Sequence, residues 1–205
     1  VASGDNMTIR RNNLKNVNFG LTVSGNCGLA RGNTIENFAG DGMRGLGNDL
    51  FFEYNTVKNC YAVNANHDDG FQSWSINDDP PRERVVLRGN VIIGYSDPNQ
   101  PFRGTLQGIG CFDGFYINWV IENNVVITDH WHGISLYGAV NSRIVNNTVI
   151  DLNDEGPGPP WIAIVPHKNG FPSRNCLIRN NIATSIIATE GVTEDHNYVI
   201  SSYAD

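Results

Sequence analysis

Apolar and polar positions alternate in a short pattern that recurs seven times along the chain, each time around an asparagine. The residue three places before each asparagine is apolar, and so is the residue two places after it. The position two places before it is charged in six of the seven copies. The seven asparagines are Asn12, Asn33, Asn55, Asn90, Asn124, Asn147 and Asn181. Because neighbouring side chains of a strand point to opposite faces, this alternation predicts strands rather than helices.

The spacing of the seven copies predicts the architecture. Successive asparagines lie 21, 22, 35, 34, 23 and 34 residues apart. A unit of 21 to 23 residues of strands and turns is too small for two helices but fits one coil of a parallel β-helix. The longer intervals fit the same coil with extra residues looped out, at 77–84, 96–106 and 153–160. We therefore predict an all-β, single-stranded solenoid of about seven coils, with residues 1–205 as one domain.

Stacking such coils places each asparagine above the last, about 4.8 Å away, which is the spacing of hydrogen-bonded strands. At that distance the side-chain amides can bond to one another along the stack. The sequence therefore predicts a structural ladder of asparagines that stabilises one turn of every coil and takes no part in chemistry.

Composition narrows the class of protein. The 22 glycines and the low share of charged residues, 17%, suit many tight turns and little helix. The net charge of −7, without a basic stripe, argues against nucleic acid as a partner. No apolar stretch is long enough to span a membrane. The four cysteines occupy different positions of the repeat, so we predict small apolar buried thiols rather than disulfides.

The repeat begins at Met7 without a segment that would cover the end of the solenoid. Uncovered coils expose strand edges, and we therefore expect the native chain to continue at this end, or to meet a partner chain there. We expect either a further amino-terminal domain or a homotrimer.

A second, weaker register centres on a glycine on the other side of each coil. The residues just before it are Phe19, Asp41, Asp69, Gln107, His132 and Pro160. The middle of this column is polar and titratable, unlike the apolar columns that flank the asparagines. Further polar and aromatic residues gather around it: Arg44, His67, Asp68, Gln72, Trp74, Arg103, Asp113, Asp129, His130, Trp131 and Tyr137. Aromatic faces for stacking, beside polar groups for hydroxyls, predict a groove that binds a polysaccharide or oligosaccharide.

The repeat resembles the right-handed parallel β-helix superfamily, whose fold is called pectin-lyase-like, over nearly the whole chain. The resemblance implies a right-handed helix and a secreted or cell-surface protein, extracellular or periplasmic, that acts on polysaccharides. The superfamily contains lyases, uronate epimerases, glycoside hydrolases and phage tailspikes, so the fold alone does not choose among these chemistries. The Asp-Pro-His motif of mannuronan epimerases is absent, since Asp97-Pro98 is followed by Asn99.

Polygalacturonase-like hydrolysis is one alternative. Members of that branch carry Asp-Gly, Asp-Asp, His-Gly and Arg-x-Lys motifs, and this chain has the first three in order: Asp41-Gly42, Asp68-Asp69 and His132-Gly133. It departs from the pattern by an extra coil, which carries Gln107, and by His167-Lys168 in place of Arg-x-Lys. We expect His167 and Lys168 to be solvated in a turn. Asp41 and Asp69 would supply the carboxyl pair that hydrolysis needs.

Elimination on a uronate ranks slightly ahead of hydrolysis, because three imidazoles cluster on the groove. Either His130 or His132 would be the base, since imidazole titrates near neutral pH. Tyr137 would be the acid, and Arg44 or Arg103 would neutralise the substrate carboxylate. Asp68 and Asp69 would orient His67 or another imidazole, or bind Ca²⁺, although no cofactor is certain. The remaining predicted substrate contacts are Gln72, Trp74, Gln107 and Trp131.

The third alternative is a non-catalytic β-helix: a tailspike shaft, an adhesin segment or a carbohydrate-binding rod. A shaft would scatter its polar residues over all faces. Here they are concentrated on one face of the middle coils, which favours a site.

Overall fold

The chain folds into stacked coils of short parallel strands. The structure is a computed structural model that describes residues 1–78, 80–153 and 155–200. The predicted loops at 77–84 and 153–160 include Asp79 and Asp154, which lie outside the described residues. A single 3-10 turn, Ile76–Asp78, is the one helical element of the described chain. No helix in the described residues is both long and apolar enough to cross a membrane.

Three long parallel sheets form the faces of the solenoid. Sheet 1 precedes the asparagines and contains Thr8–Arg10, Leu29–Arg31, Phe51–Glu53, Val86–Arg88, Val120–Glu122, Arg143–Val145, Cys176–Arg179 and Val192–Asp195. Sheet 2 follows them and contains Asn13–Val17, Thr34–Phe38, Thr56–Cys60, Val91–Ile93, Val125–Thr128, Thr148–Asp151, Ile182–Ala183 and Tyr198–Val199. Sheet 3 contains Leu21–Val23, Met43–Gly45, Asp69–Trp74, Gln107–Asp113, His132–Tyr137, Trp161–Val165 and Ser185–Ala188.

A short fourth sheet, Arg82–Glu83, Tyr116–Ile117 and Ala139–Val140, joins the longer middle coils. Each strand of these sheets pairs with the equivalent strand of the next coil. The predicted all-β parallel solenoid is therefore confirmed.

The apolar positions around each asparagine line one continuous core. Leu87 pairs with Phe52 on one side and Ile121 on the other. Ile92 pairs with Val57 and Val126 in the same way on sheet 2. All of these side chains are buried, so each coil covers the apolar face of its neighbours. This stacked burial supplies most of the stability that no single coil could obtain alone.

The asparagine ladder is present along the turn between sheets 1 and 2. In each coil the backbone N–H and the side-chain amide of one asparagine both donate to Oδ1 of the next, at 2.9 to 3.0 Å. The side-chain amide also donates to a backbone carbonyl of an earlier strand, as Asn124 does to Leu87 at 3.0 Å. Every interior rung is thus hydrogen-bonded on both sides.

The ladder has one more rung than the sequence predicts. Asn181 donates to Oδ1 of Asn197, and sheets 1 and 2 each contain eight strands rather than seven. The last interval is only 16 residues, shorter than any of the predicted coils, and Glu194 replaces the apolar residue three places before the asparagine. The pattern is therefore too weak there to identify the coil from sequence.

The cysteines are free thiols, as predicted, but one of them is not buried. Cys60, Cys111 and Cys176 lie in the interior, whereas Cys27 is exposed. Cys27 has a left-handed backbone with φ of 56°, so it lies at a turn between strands rather than in an inward column.

Candidate functional site

The candidate site lies on the outer face of sheet 3, where the residues of the glycine register project. Asp69 and Gln107 are register partners on two neighbouring strands of sheet 3. His132 and Trp161 are register partners on the next two strands. The inward positions of the same strands are apolar and buried, for example Phe71, Ile109 and Ile134. Strict alternation would place Asp69 on the same face as Phe71. Its Oδ1 instead lies against Gly110, between the buried Ile109 and Cys111, and therefore on the outer face of the sheet.

His67 and Asp69 form the first pair of the site. Nδ1 of His67 lies 3.0 Å from Oδ2 of Asp69, whose side chain is completely buried. Burial raises the pKa of Asp69 to about 7, and the hydrogen bond to this carboxylate raises the pKa of His67. The contact holds the His67 proton on Nδ1 and leaves Nε2 as the basic atom. Nε2 is in close contact with the amide nitrogen of Gln107.

Asp68 points in a different direction from Asp69. Its Oδ2 accepts a hydrogen bond from the thiol of Cys60 at 3.3 Å, and burial raises its pKa. It lies with His67, Gln107 and His130 in a pocket of about 220 Å³, whose other walls are Ala62, Asn64, Asn66, Gly104 and Thr105. The two adjacent aspartates therefore differ in environment, and only Asp69 is in contact with an imidazole.

His132 belongs to a second hydrogen-bonded group. Its Nδ1 lies 2.9 Å from Oγ of Ser135, and Nε1 of Trp161 lies 3.0 Å from the same oxygen. An indole nitrogen can only donate, so the Ser135 oxygen accepts from Trp161. Among the described residues, Nδ1 of His132 is the one acceptor in contact with the buried Ser135 hydroxyl, and we therefore assign the hydroxyl proton to this contact. Nδ1 of His132 is therefore an acceptor, and the ring proton is on Nε2. This tautomer is opposite to that of His67.

His130 has the same tautomer as His132. Its Nδ1 accepts the backbone N–H of His132 at 3.1 Å, which places its proton on Nε2. The two rings are stacked with centroids 5.4 Å apart. Burial lowers the pKa of both imidazoles to about 4, with the nearby His67 contributing to each shift. Both rings are consequently neutral hydrogen-bond donors at neutral pH.

These assignments give a test by nitrogen NMR. Replacing Ser135 by alanine removes the hydroxyl that donates to Nδ1 of His132, so we expect His132 to change from one tautomer to a mixture, with His67 unaffected. Two-bond ¹H–¹⁵N spectra of the imidazoles at pH 7 measure the change. Ser185→Ala, at the Trp161 position of the next strand, is the matched control. An unchanged His132 in Ser135→Ala would contradict the tautomer assignment.

Arg44, Asp41, Gln72 and Trp74 form the amino-terminal end of the site. The Arg44 guanidinium is ion-paired to the buried carboxylate of Asp41 and stacks 3.8 Å above the Phe19 ring centroid. Burial raises the pKa of Asp41 despite this partner. Arg44 also lies over Trp74, at 5.5 Å, and is paired with Gln72 on the next strand. The predicted contacts of this end are thus brought together, but the cation is already neutralised by Asp41.

Arg103 is not brought to the site. Its guanidinium stacks on Tyr95 at 4.8 Å and lies 3.7 Å from the Glu155 carboxylate. These groups line a separate pocket that includes Leu152 and Asn153. The described contacts thus place the Arg103 guanidinium against Tyr95 and Glu155 rather than against an imidazole, and its role as a neutralising cation stays a prediction.

Tyr137 and Trp131 lie at the edges of the imidazole group. The Tyr137 ring centroid is 6.5 Å from that of His132, and burial raises the pKa of its phenol. Trp131 is 47% exposed and stacks parallel to Trp161, with centroids 6.4 Å apart. An exposed indole with its flat face supported in this way can stack on a sugar ring.

Phe112 is a central residue of the site that the sequence did not reveal. A register shift between Gly110 and Asp113 alters the pairing of its strand. Its ring makes edge contacts with His132 at 4.7 Å and Tyr137 at 5.1 Å, and lies 6.5 Å from His67. Gly110 makes room for it, because a Cβ there would lie 2.8 Å from the Phe112 ring. Phe112 thus packs between the two groups of imidazoles.

Lys168 was predicted to be a solvated turn residue, yet its ammonium group reaches the site. It is hydrogen-bonded to Asp113, lies 5.9 Å from the Phe112 ring centroid and contributes to the lowered pKa of His132. Its neighbour His167 was also predicted to be solvated, and this is wrong: it is buried against Phe115, with ring centroids 4.8 Å apart. Lys168 is separated from Asp113 by 55 residues, so only the coil stacking brings them together.

Within the described part of the chain, no group of three or more histidine, cysteine, aspartate or glutamate side chains is arranged to hold a metal ion. Asp68 and Asp69 contact Cys60 and His67 respectively rather than sharing one centre. A Ca²⁺ site at these aspartates stays a prediction.

Comparison with known proteins identifies the class. The sequence model of the family described as right-handed β-helix region matches residues 1–203, and the chain belongs to this family. The right-handed form of the solenoid, predicted from the resemblance, is thereby confirmed. No curated protein sequence matches the chain.

Among solved structures, the A-module of the mannuronan C-5 epimerase AlgE6 from Azotobacter vinelandii is similar, with a TM-score of 0.51 and 13% identity. The alignment covers 96% of this chain and 52% of that module, so the chain spans about half of its length. QnrB1, a plasmid-mediated fluoroquinolone resistance protein, aligns over 95% of this chain and 94% of its own, with 10% identity and a TM-score of 0.21. The first similarity supports the fold, and the second is too low to carry an argument.

Proposed function

We propose that this protein binds an acidic polysaccharide along sheet 3 and modifies it by removing the proton next to a uronate carboxylate, in a β-elimination. The observation that carries the proposal is the pair of His67 and Asp69, which fixes a basic nitrogen beside two neutral imidazoles that are donors. The similar epimerase module has a name that also refers to a uronate polymer, mannuronan, and this supports the same class of substrate.

In this proposal His67 is the base, whereas the sequence favoured His130 or His132. Its Nδ1 is held by Asp69, so Nε2 has the lone pair that receives the proton. His130 and His132 each accept a hydrogen bond at Nδ1, so Nε2 of each carries a proton and cannot act as base in the neutral ring. The Gln107 amide covers Nε2 of His67, and substrate entry requires this amide to move.

The reaction then balances within the groups of the groove. The proton next to the carboxylate moves to Nε2 of His67, its bonding electrons form a carbon–carbon double bond, and the bond from the sugar to the departing oxygen breaks. That oxygen receives a proton from the Tyr137 phenol, while Nε2–H of the neutral His132 donates a hydrogen bond to it. The positive charge of Lys168 acts on both His132 and Tyr137, and Lys168 would bind the substrate carboxylate once it leaves Asp113.

The buried aspartates argue against the hydrolytic alternative. Hydrolysis needs one carboxyl at the leaving oxygen and another at the sugar or a water. Asp41 and Asp69 are 2% and 0% exposed, and their oxygens contact Arg44 and His67. Neither carboxyl is therefore positioned to touch a sugar ring, whereas the half-buried imidazoles are.

Replacing His67 by glutamine is the direct test of the proposed chemistry. Loss of the base is expected to lower the rate of turnover by about 10²-fold or more, with little change in thermal stability, since the His67 side chain is 56% exposed. The chain is incubated with anionic and neutral polysaccharides while reducing ends and the ultraviolet absorbance of an unsaturated uronate are followed together. Incorporation of solvent deuterium next to the carboxylate detects proton abstraction without cleavage, as in epimerisation.

His196→Gln is the matched control, because His196 also contacts an aspartate, Asp195, but lies in the last coil. Full activity of His67→Gln on a polymer that the wild type cleaves would overturn the role of His67. Reducing ends without unsaturated product would favour hydrolysis instead.

Glycan binding without chemistry is the second candidate, and the exposed Trp131 stacked on Trp161 favours it. This pair presents a flat apolar surface at the edge of the groove. A chain that binds oligosaccharides through these indoles, but leaves every polymer intact and exchanges no proton, would be a binding module.

A further inference from the structure

A second polar surface lies away from sheet 3, on the turn between sheets 1 and 2 in the early coils. An open notch of about 690 Å³ lies there, and it is lined by Arg10, Arg11, Arg31, Gly32 and Tyr54. We call this set the arginine notch. Three guanidinium groups in one notch are notable in a chain whose net charge is −7.

In the middle coils the charges of sheet 1 are paired with one another, whereas those at this notch are not. Further along the sheet, arginines and glutamates alternate, and Arg88 contacts Glu53 at 2.9 Å and Glu122 at 2.6 Å. Arg31 has only a loose contact with Glu53, at 3.8 Å, and among the described residues neither Arg10 nor Arg11 has an ion-pair partner.

Arg10 and Arg31 are also direct partners on adjacent strands. Like charges placed opposite each other on a sheet repel, and a bound anion would relieve this repulsion. The arginine notch is thus a site of uncompensated positive charge.

Two glycines give the notch its shape. Gly32 has a left-handed backbone with φ of 65° and carries no side chain between Arg11 and Tyr54, which leaves the floor open. Gly89, in the next coil, allows the Tyr54 ring to lie directly on the backbone, since a Cβ there would approach the ring to 2.6 Å. The ring is thereby supported from one side, and the Arg31 guanidinium lies 5.2 Å from its centroid.

We infer that the arginine notch is a second carbohydrate site, which binds one anionic sugar unit of a polysaccharide through its carboxylate or sulfate group. Arginine forms paired hydrogen bonds with planar carboxylates and with oxyanions, and a supported tyrosine ring provides a stacking surface for the sugar. Both elements are found together here, whereas an isolated arginine cluster would bind any small anion. The inference does not depend on the proposed chemistry, because the notch and sheet 3 occupy different faces of each coil.

The test is titration of the full chain with an oligouronate, a sulfated neutral oligosaccharide and the same oligosaccharide without sulfate. Backbone amide shifts at 10–11, 31–32 and 54 report on the notch separately from sheet 3. We expect one of the anionic ligands, and not the neutral one, to shift these amides, and the double variant Arg10→Gln/Arg11→Gln to weaken binding at the notch about tenfold or more. Binding should also weaken as salt rises.

Gly32→Asn fills the floor of the notch without backbone strain, since Asn123, Asn146 and Asn180 have a similar positive φ just before their own ladder asparagines. It should weaken binding with all three arginines still present. Arg143→Gln, an exposed arginine of the same sheet, is the control and should bind as the wild type does.

A response to the oligouronate alone identifies a uronate site, and a response to the sulfated ligand alone identifies a sulfated glycan. The inference is overturned if neither anion shifts the notch amides, or if the neutral oligosaccharide binds as well. It is also overturned if Gly32→Asn and the double arginine variant bind as the wild type does. Turnover on sheet 3 is expected to continue in the notch variants, so failure here leaves the proposed function standing.

Discussion

Replacing Asp69 by asparagine is expected to stop turnover and, at pH 8, to make the fold more stable. The variant loses the carboxylate that fixes Nδ1–H of His67, so the rate should fall by about 10²-fold or more. The same carboxylate is completely buried, and burial raises its pKa from 3.8 to about 7. A neutral amide of the same shape avoids the cost of a buried charge.

The sign of the pH dependence follows from the two pKa values. The folded state holds the Asp69 proton more tightly than the unfolded state, so this group favours folding below pH 3.8 and loses that contribution as pH rises towards 7. At pH 8 the charged form is therefore unfavourable by up to about 4 kcal/mol. Asp69→Asn should gain most of this at pH 8 and almost none at pH 4.

Denaturant unfolding of the wild type and Asp69→Asn at pH 4 and pH 8 measures the effect. Asp49→Asn is the control of opposite sign, because hydrogen bonds from Arg84 lower the pKa of Asp49, so its replacement should not stabilise the fold. If Asp69→Asn were less stable than the wild type at pH 8, the charged Asp69 carboxylate would stabilise the fold, and the expected destabilisation by its burial would be contradicted. Full activity in the same variant would separate Asp69 from the chemistry.

Replacing Asn124 by alanine is expected to destabilise the solenoid by about 3–5 kcal/mol. Asn124 is 1% exposed, and Oδ1 accepts the backbone N–H and the side-chain amide of Asn90. Its own amide donates to Leu87 and to Asn147. Alanine removes all four bonds and leaves buried polar groups of neighbouring coils without partners.

Asn12→Ala is the matched control, because Asn12 is the first rung, is exposed, and is hydrogen-bonded on one side only. It should cost a small fraction of the effect of Asn124→Ala. If the two variants had equal free energies of unfolding, the buried interior rungs would contribute no more stability than the exposed first rung. Neither replacement touches sheet 3, so activity per folded molecule should be unchanged.

The sequence predicted the frame of the molecule because the frame is repetitive. The alternation around each asparagine recurs at nearly constant spacing, so weak local signals add up over seven copies. It also indicated which face carries the candidate site, since Asp69, Gln107 and His132 share one place in the repeat. It missed the last coil, whose spacing of 16 residues and polar Glu194 depart from the pattern.

The roles within the site could not be obtained in this way. The tautomer of His132 depends on Ser135 and on Trp161, an indole that comes from the next coil. Phe112 takes its place next to a shift in strand register that no residue type announces, and Lys168 arrives through a loop two strands further along sheet 3. Arg103 occupies a suitable position in the chain, yet its side chain turns to Tyr95 and Glu155.

The sequence by itself therefore determined the solenoid, its asparagine ladder and the polar face, because strand alternation and coil stacking are set by the periodic pattern of side chains. Only the tertiary structure decided which imidazole has its lone pair on Nε2, which aspartates are buried and which cation reaches the groove. Those properties arise from side chains of different coils that meet in space, and the spacing of residues along one chain does not encode the direction in which each side chain turns.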